Sequence, residues 1–168
     1  GNPWKNWLFV RLDTDQDGLY GVGEGTLNGF AKTIEAAVHE LAPRFEGMDP
    51  FQVETIYQRM TRDMYSEGGQ IHMCAVAAVE TACWDIIGKE ANKPVYKLLG
   101  GQVHEKLRTY TYLYPHTGSG HSEDAHGKNV YNDPDLAAEA ALEAVEQGFT
   151  AIKFDPAGPY TIYDGHQP

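Results

Sequence analysis

Lys153 and Asp155 stand two residues apart in FTAIKFD, residues 149–155, a short run of apolar and polar residues that predicts a β-strand. Alternate side chains of a strand share a face, so both charged groups project one way while Ile152 and Phe154 project the other. Pro156 ends the strand. A lysine buried at such a strand end has its charged form disfavoured by desolvation, and a nearby cation lowers its pKa further. Both effects equip it as a general base near neutral pH. The same two residues also read as a structural ion pair at the edge of a sheet.

Histidines supply a second group of candidates. His116, His121 and His126 punctuate PHTGSGHSEDAHGKN, with Glu123 and Asp124 between them. Imidazole and carboxylate can ligate a metal, but this spacing fits no compact tetrahedral motif, and a polar loop over the mouth of a site is the better reading. His116 follows the β-rich run TYTYLYP directly and is the histidine of this group placed nearest a strand end. Tyr160 and His166, in YTIYDGHQ after the second strand, are comparable, with side chains that can both donate and accept hydrogen bonds to a polar ligand. They suit an ordinary exposed loop equally well. His39, His72 and His104 fall on helical or linking segments, where packing or solvent accounts for them.

The elements that position these groups follow from periodicity. WLFVRLDTDQDGLYGVGEG, residues 7–25, alternates apolar and polar residues around DQDG and predicts a β-hairpin. Asp13, Asp15 and Asp17 resemble the start of a calcium loop, but Gly18 follows the third Asp at once and no Glu closes the twelve-residue frame, so they form the hairpin tip. Helical spacing of Phe30, Ile34, Ala37, Val38 and Leu41 predicts a helix over about 28–43. Asp49-Pro50 then sets up a second helix that carries Phe51, Val53, Ile56, Tyr57 and Met60 toward a core. A third helix, from about Ile71 to Lys89, contains Ala75, Ala77, Ala78 and Ala82. Small side chains allow it to be packed closely on several sides, as the central helix of the domain. Past residue 100, TYTYLYP, a long polar loop, a helix from Asp133-Pro134 to Gln147, Gly148 as its cap and FTAIKFD make a βαβ unit. Such a unit needs a parallel sheet with a right-handed crossover. Two parallel strands need cover on both faces, so further strands are expected, from residues after Pro168 or from another chain.

Composition bounds the rest. A chain of 168 residues, 42% hydrophobic, can bury one substantial core. Its net charge of -11, with 13 scattered Lys and Arg, disfavours nucleic acid as a partner. No apolar run approaches the roughly 20 residues of a membrane span, and GNPWKN carries no secretory pattern, so a soluble, cytoplasmic protein without a membrane partner is expected. The absence of an initial Met ahead of a strand leads us to expect a preceding segment. Cys74 and Cys83 lie nine residues apart on one helix, roughly 13 Å at 1.5 Å per residue. They are too distant for a disulfide and read as small buried hydrophobes.

ACWDIIGKEANKPVYKLLGG, residues 82–101, resembles the pattern ALWDIxGKxxxxPVYxLLGG of the mandelate racemase and muconate lactonizing enzyme branch of the enolase superfamily. The leading hairpin, closed by Gly23, Glu24 and Gly25, is similar too. This resemblance implies an α+β capping domain over residues 1–100, an antiparallel hairpin plus a helical bundle. Residues 101–168 would be the start of a TIM-type (β/α) barrel, incomplete in this chain.

The resemblance also implies a chemistry, proton abstraction α to a carboxylate with Mg²⁺ stabilising the enediolate. In the acid-sugar branch, loss of the β-hydroxyl then gives a 2-keto-3-deoxy acid. The Mg²⁺ ligands of the family sit at the ends of the third to fifth barrel strands, so they are expected beyond residue 168 and none in this chain. The second strand usually carries Lys-x-Lys. Lys153 matches its first position and Asp155 replaces the second Lys, so either Lys153 is the base or it orients the substrate carboxylate and leaves proton abstraction to a His-Asp pair on a later strand. A sugar acid is the implied small-molecule partner, and a homo-oligomer or the remainder of the same polypeptide the implied assembly. Three functions stay open: a sugar-acid dehydratase, a racemase, epimerase or cycloisomerase of the same superfamily, and a non-catalytic capping module.

Overall fold

The computed structural model describes residues 6–62, 64–113, 130–131 and 133–154. The chain divides into two compact units, residues 1–103 and 104–168.

In the first unit, strands β1 (Phe9–Asp13) and β2 (Tyr20–Glu24) form the expected antiparallel hairpin, with Arg11 opposite Val22 and Asp13 opposite Tyr20. The tip is closed locally. Thr14 Oγ1 donates to the Leu19 carbonyl at 2.8 Å and accepts from the Gln16 N–H, while Gly18 adopts φ +76°, which suits glycine. Helices α1 (Ala31–Leu41), α2 (Val53–Thr61) and α3 (Gly69–Glu90) follow, with one 3₁₀ turn, Ala42–Arg44, after α1. Ile34, Met60, Val76 and Val79 are fully buried where α1 and α2 meet α3, and this seam is the core.

Helix α3 is the most buried element, as its alanines suggest. Ala75, Ala78 and Ala82 have no exposed surface, and Trp84 is half-buried against the same core. Ala77 faces solvent. The expectation that no run is apolar enough to span a membrane needs correcting, since α3 has 22 residues and contains an 18-residue window of mean hydropathy 1.3, long and apolar enough by length and composition. Its place in the core explains that composition, because a helix packed on several sides loses the polar face that a surface helix keeps.

The geometry of helix ends accounts for much of the 82–101 stretch. Asn92, at φ +50°, ends α3: its N–H donates to the Lys89 carbonyl and the Lys93 N–H to that of Gly88. Pro94 then starts the short helix α4 (Val95–Leu98), which ends the same way through Gly100, at φ +114°, and the Gly101 N–H on the Tyr96 carbonyl at 2.8 Å. Gly88 is held close to the connection, where an added Cβ would lie 3.0 Å from the Lys93 carbonyl oxygen.

Two expectations fail at the second helix. Phe51 is 52% exposed and lies outside α2, which begins at Val53. Asp49 caps a separate turn instead, its Oδ1 accepting the Phe51 N–H at 2.9 Å and its carbonyl the Gln52 N–H. Phe30 is likewise exposed, at the N-terminal edge of α1.

The second unit is a βαβ unit with parallel strands: β3 (Thr111–Tyr112), α5 (Pro134–Glu146) and β4 (Ile152–Lys153). The regular strands are only two residues each, shorter than TYTYLYP and FTAIKFD suggest.

Candidate active-site strand ends

The sequence around α5 fixes how β4 is delivered beside β3. Asp133 caps the helix by accepting the N–H groups of Asp135 and Leu136 at 3.0 and 3.2 Å, and Pro134 takes the first position, where a missing N–H costs nothing. Gly148, at φ +94°, turns the chain out of the helix, with the Phe149 N–H closing on the Ala144 carbonyl. Arg108 then ties the chain ahead of β3 to the chain ahead of β4, through the hydroxyl and carbonyl oxygens of Thr150. The register that results sets Thr111 against Ile152 and Tyr112 against Lys153.

Leu113 and Phe154 pack with Ala140 and Ala144 of α5, so the face of the sheet that carries them is the helix side. Lys153 precedes Phe154 by one residue and Tyr112 precedes Leu113 by one, which puts both on the opposite face. The Lys153 Nζ lies 5.8 Å from the centre of the Tyr112 ring, within cation–π range. Lys153 is exposed, however, so the burial on which a desolvated base depends is not provided by the described residues. Of the other candidate residues, Asp155, His116, Tyr160 and His166 lie outside the described residues, as do His121, Glu123, Asp124 and His126. Among the described residues, no three His, Cys, Asp or Glu come together in a group that could hold a metal ion.

Several other titratable groups in the first unit serve the fold. The His72 ring nitrogen Nε2 bonds the Met60 carbonyl at 2.8 Å and joins α3 to α2. Cys74 and Cys83 are both free thiols, and burial, followed by the charge of Glu80, pushes the Cys83 pKa up to about 11. Asp85 was not singled out by its sequence, yet it accepts the Val22 N–H at 2.9 Å and bonds the Lys89 ammonium at 2.7 Å. Its partial burial raises its carboxyl pKa, but the Lys89 and Val22 hydrogen bonds and the Lys89 charge outweigh this and leave it below the usual value. The WDIIGK spacing, Asp85 to Lys89, was the available signal, since i and i+4 share a helix face.

Comparison with known proteins agrees with this architecture. D-galactonate dehydratases from Verminephrobacter eiseniae and Ralstonia pickettii are each 45% identical to this chain over 107 residues, 64% of this chain. The chain spans only 28% of the length of those relatives. Among solved structures, a mandelate racemase/muconate lactonizing enzyme from Sulfitobacter matches all of this chain and 41% of its own, at 38% identity and a TM-score of 0.81. An enolase from Pantoea ananatis, solved with bound D-gluconate and Mg, matches 89% of this chain and 32% of its own, at 28% identity and a TM-score of 0.75. The family model for the mandelate racemase / muconate lactonizing enzyme N-terminal domain matches residues 4–100, and the chain belongs to that family.

Proposed function

We propose that this chain is part of an acid-sugar dehydratase that removes the proton α to a carboxylate and expels the β-hydroxyl. The observation that carries the proposal is the 45% identity to D-galactonate dehydratases. The strand ends are consistent with it. A lysine on the sheet face opposite α5, at the carboxyl end of a parallel strand, is where barrel enzymes gather substrate-binding and catalytic groups. Exposed as it is, Lys153 suits the holding of a substrate carboxylate better than proton abstraction, with Asp155 beside it in sequence and His116, Tyr160 and His166 as the hydroxyl-binding candidates. The relative with bound Mg supports a divalent metal requirement. No group of described residues fits that ion, so no ligand in this chain and no step through it is assigned. The proposal includes a sugar acid as the small-molecule partner, a cytoplasmic location and self-association of the complete protein.

A second reading, racemisation, epimerisation or cycloisomerisation, draws on the family name itself and shares the first proton abstraction. A panel of sugar acids incubated with the complete protein, with and without chelator, tests the proposal. The expected result is a 2-keto-3-deoxy acid formed from a galactonate-like substrate and lost on chelation. Full turnover under chelation refutes the metal requirement, and no turnover of any sugar acid refutes the assignment.

A further inference from the structure

Tyr112 and Lys153 stand opposite each other in the parallel pair of the second unit. The Thr111 N–H donates to the Ala151 carbonyl at 3.2 Å and the Leu113 N–H to the Lys153 carbonyl at 3.0 Å, so ladder bonds bracket Tyr112 on both sides. Leu113 is buried with Val130, Ala140 and Ala144 on the helix side, which turns the Tyr112 ring to the opposite face, the face of Lys153. There Tyr112 is half-buried, whereas Lys153 is exposed. Among the described residues, the Lys153 ammonium takes part in no ion pair, and the Tyr112 ring, its centre 5.8 Å from Nζ, is the group beside it.

A lysine side chain is long and freely rotating, and fixing it when a ligand binds costs rotamer entropy. A tyrosine turns about far fewer bonds, and the face of its ring carries negative charge density that attracts an ammonium ion. A ring already held beside the lysine restricts where the ammonium goes before any substrate arrives. We propose that Tyr112 is a positioning residue for Lys153, its ring holding the ammonium at the strand end in place to meet the substrate carboxylate. This role rests on the dehydratase reading, in which Lys153 binds that carboxylate. Tyr112 acts through Lys153 and touches no reacting atom, so loss of the ring weakens the hold on substrate and leaves the chemical step as it was. The phenol oxygen is not required, since the attraction belongs to the ring.

The test joins kinetics of the complete protein on D-galactonate with Mg²⁺ to NMR of the Lys153 ε-methylene protons, which a neighbouring ring face shifts upfield. Tyr112→Leu is expected to raise KM about threefold to fivefold, the size of one exposed cation–π contact, with kcat within about twofold of wild type. Tyr112→Phe keeps the ring and should match wild type in both constants. In a Lys153→Ala background, Tyr112→Leu should change kcat/KM by less than about twofold, because the ring then has no ammonium to hold. The upfield shift should be present in wild type and in the Phe variant and lost in the Leu variant. Equal losses from Tyr112→Leu in the two backgrounds overturn the proposal. So does a Phe variant as impaired as the Leu variant, or a wild-type resonance no different from its position in urea. That last comparison needs no substitution and decides the question even where a variant fails to fold. A wild-type protein that turns over no sugar acid refutes the dehydratase reading instead, and the resonances still show whether the ring holds the ammonium.

Discussion

Gly23 lies so close to α3 that a Cβ built on it would sit 1.9 Å from the carbonyl oxygen of Ala78. Gly21 stands in the same relation to Ala82, and a Cβ added to Gly25 would lie 3.0 Å from the Cys74 carbonyl oxygen. Two strand residues advance about 6.8 Å and four helix residues about 6.0 Å, so glycines at every second strand position meet one helical turn each. The hairpin and the central helix therefore touch backbone to backbone.

Gly23→Ala should consequently cost about 3 kcal/mol or more, since neither backbone can yield without moving the hairpin off the helix. Gly18→Ala, in open space at φ +76°, should cost only about 1 kcal/mol. Urea unfolding of the two variants measures the difference, and equal losses would show that the close approach is not what holds the hairpin.

Asp85 should make the first unit sensitive to acid. Its carboxyl pKa is lower folded than unfolded, so its contribution is present above about pH 4, the unfolded value, and is lost as pH falls through the folded value. Asp85→Asn keeps an acceptor for the Val22 N–H but not the charge, and should lower stability by about 1 kcal/mol at pH 7. Denaturation midpoints of wild type and variant between pH 7 and pH 3 should converge as pH falls; parallel curves would contradict this role.

Much of the fold was legible because several signals agreed locally. The hairpin followed from alternation around DQDG, and α3 from its alanines. Asn92, Pro94 and the Gly100-Gly101 pair mark helix ends through backbone rules that hold in any protein. Phe51 was misplaced because Asp49-Pro50 starts a helix and an isolated turn with the same chemistry. The apposition of glycine and alanine was invisible, since a missing Cβ leaves no pattern until the partner is known. At the candidate site, strand alternation puts Lys153 on the face opposite Phe154, but its exposure depends on what covers the sheet, which periodicity cannot report.

In the complete protein, Lys153→Ala should lower kcat/KM for a sugar acid by about 10²-fold or more, because the substrate carboxylate loses its cation and with it the alignment of the α-proton. The change should appear largely in KM if Lys153 only binds the carboxylate, and largely in kcat if it takes the proton. Thermal unfolding should shift little, since an exposed side chain contributes little packing. An Ala variant with unchanged kcat/KM would remove Lys153 from the site.

The most direct test of the dehydratase proposal is the fate of hydrogen when the complete protein acts on D-galactonate in ²H₂O with Mg²⁺, followed by NMR. Loss of the α-proton and the β-hydroxyl leaves an enol that takes up one solvent deuteron at C3 as it becomes the keto acid. The proposal therefore expects a 2-keto-3-deoxy product carrying a single deuterium at C3. Deuterium appearing at C2 of galactonate or its epimer, with no water lost, would contradict dehydration and establish the racemase or epimerase reading in its place.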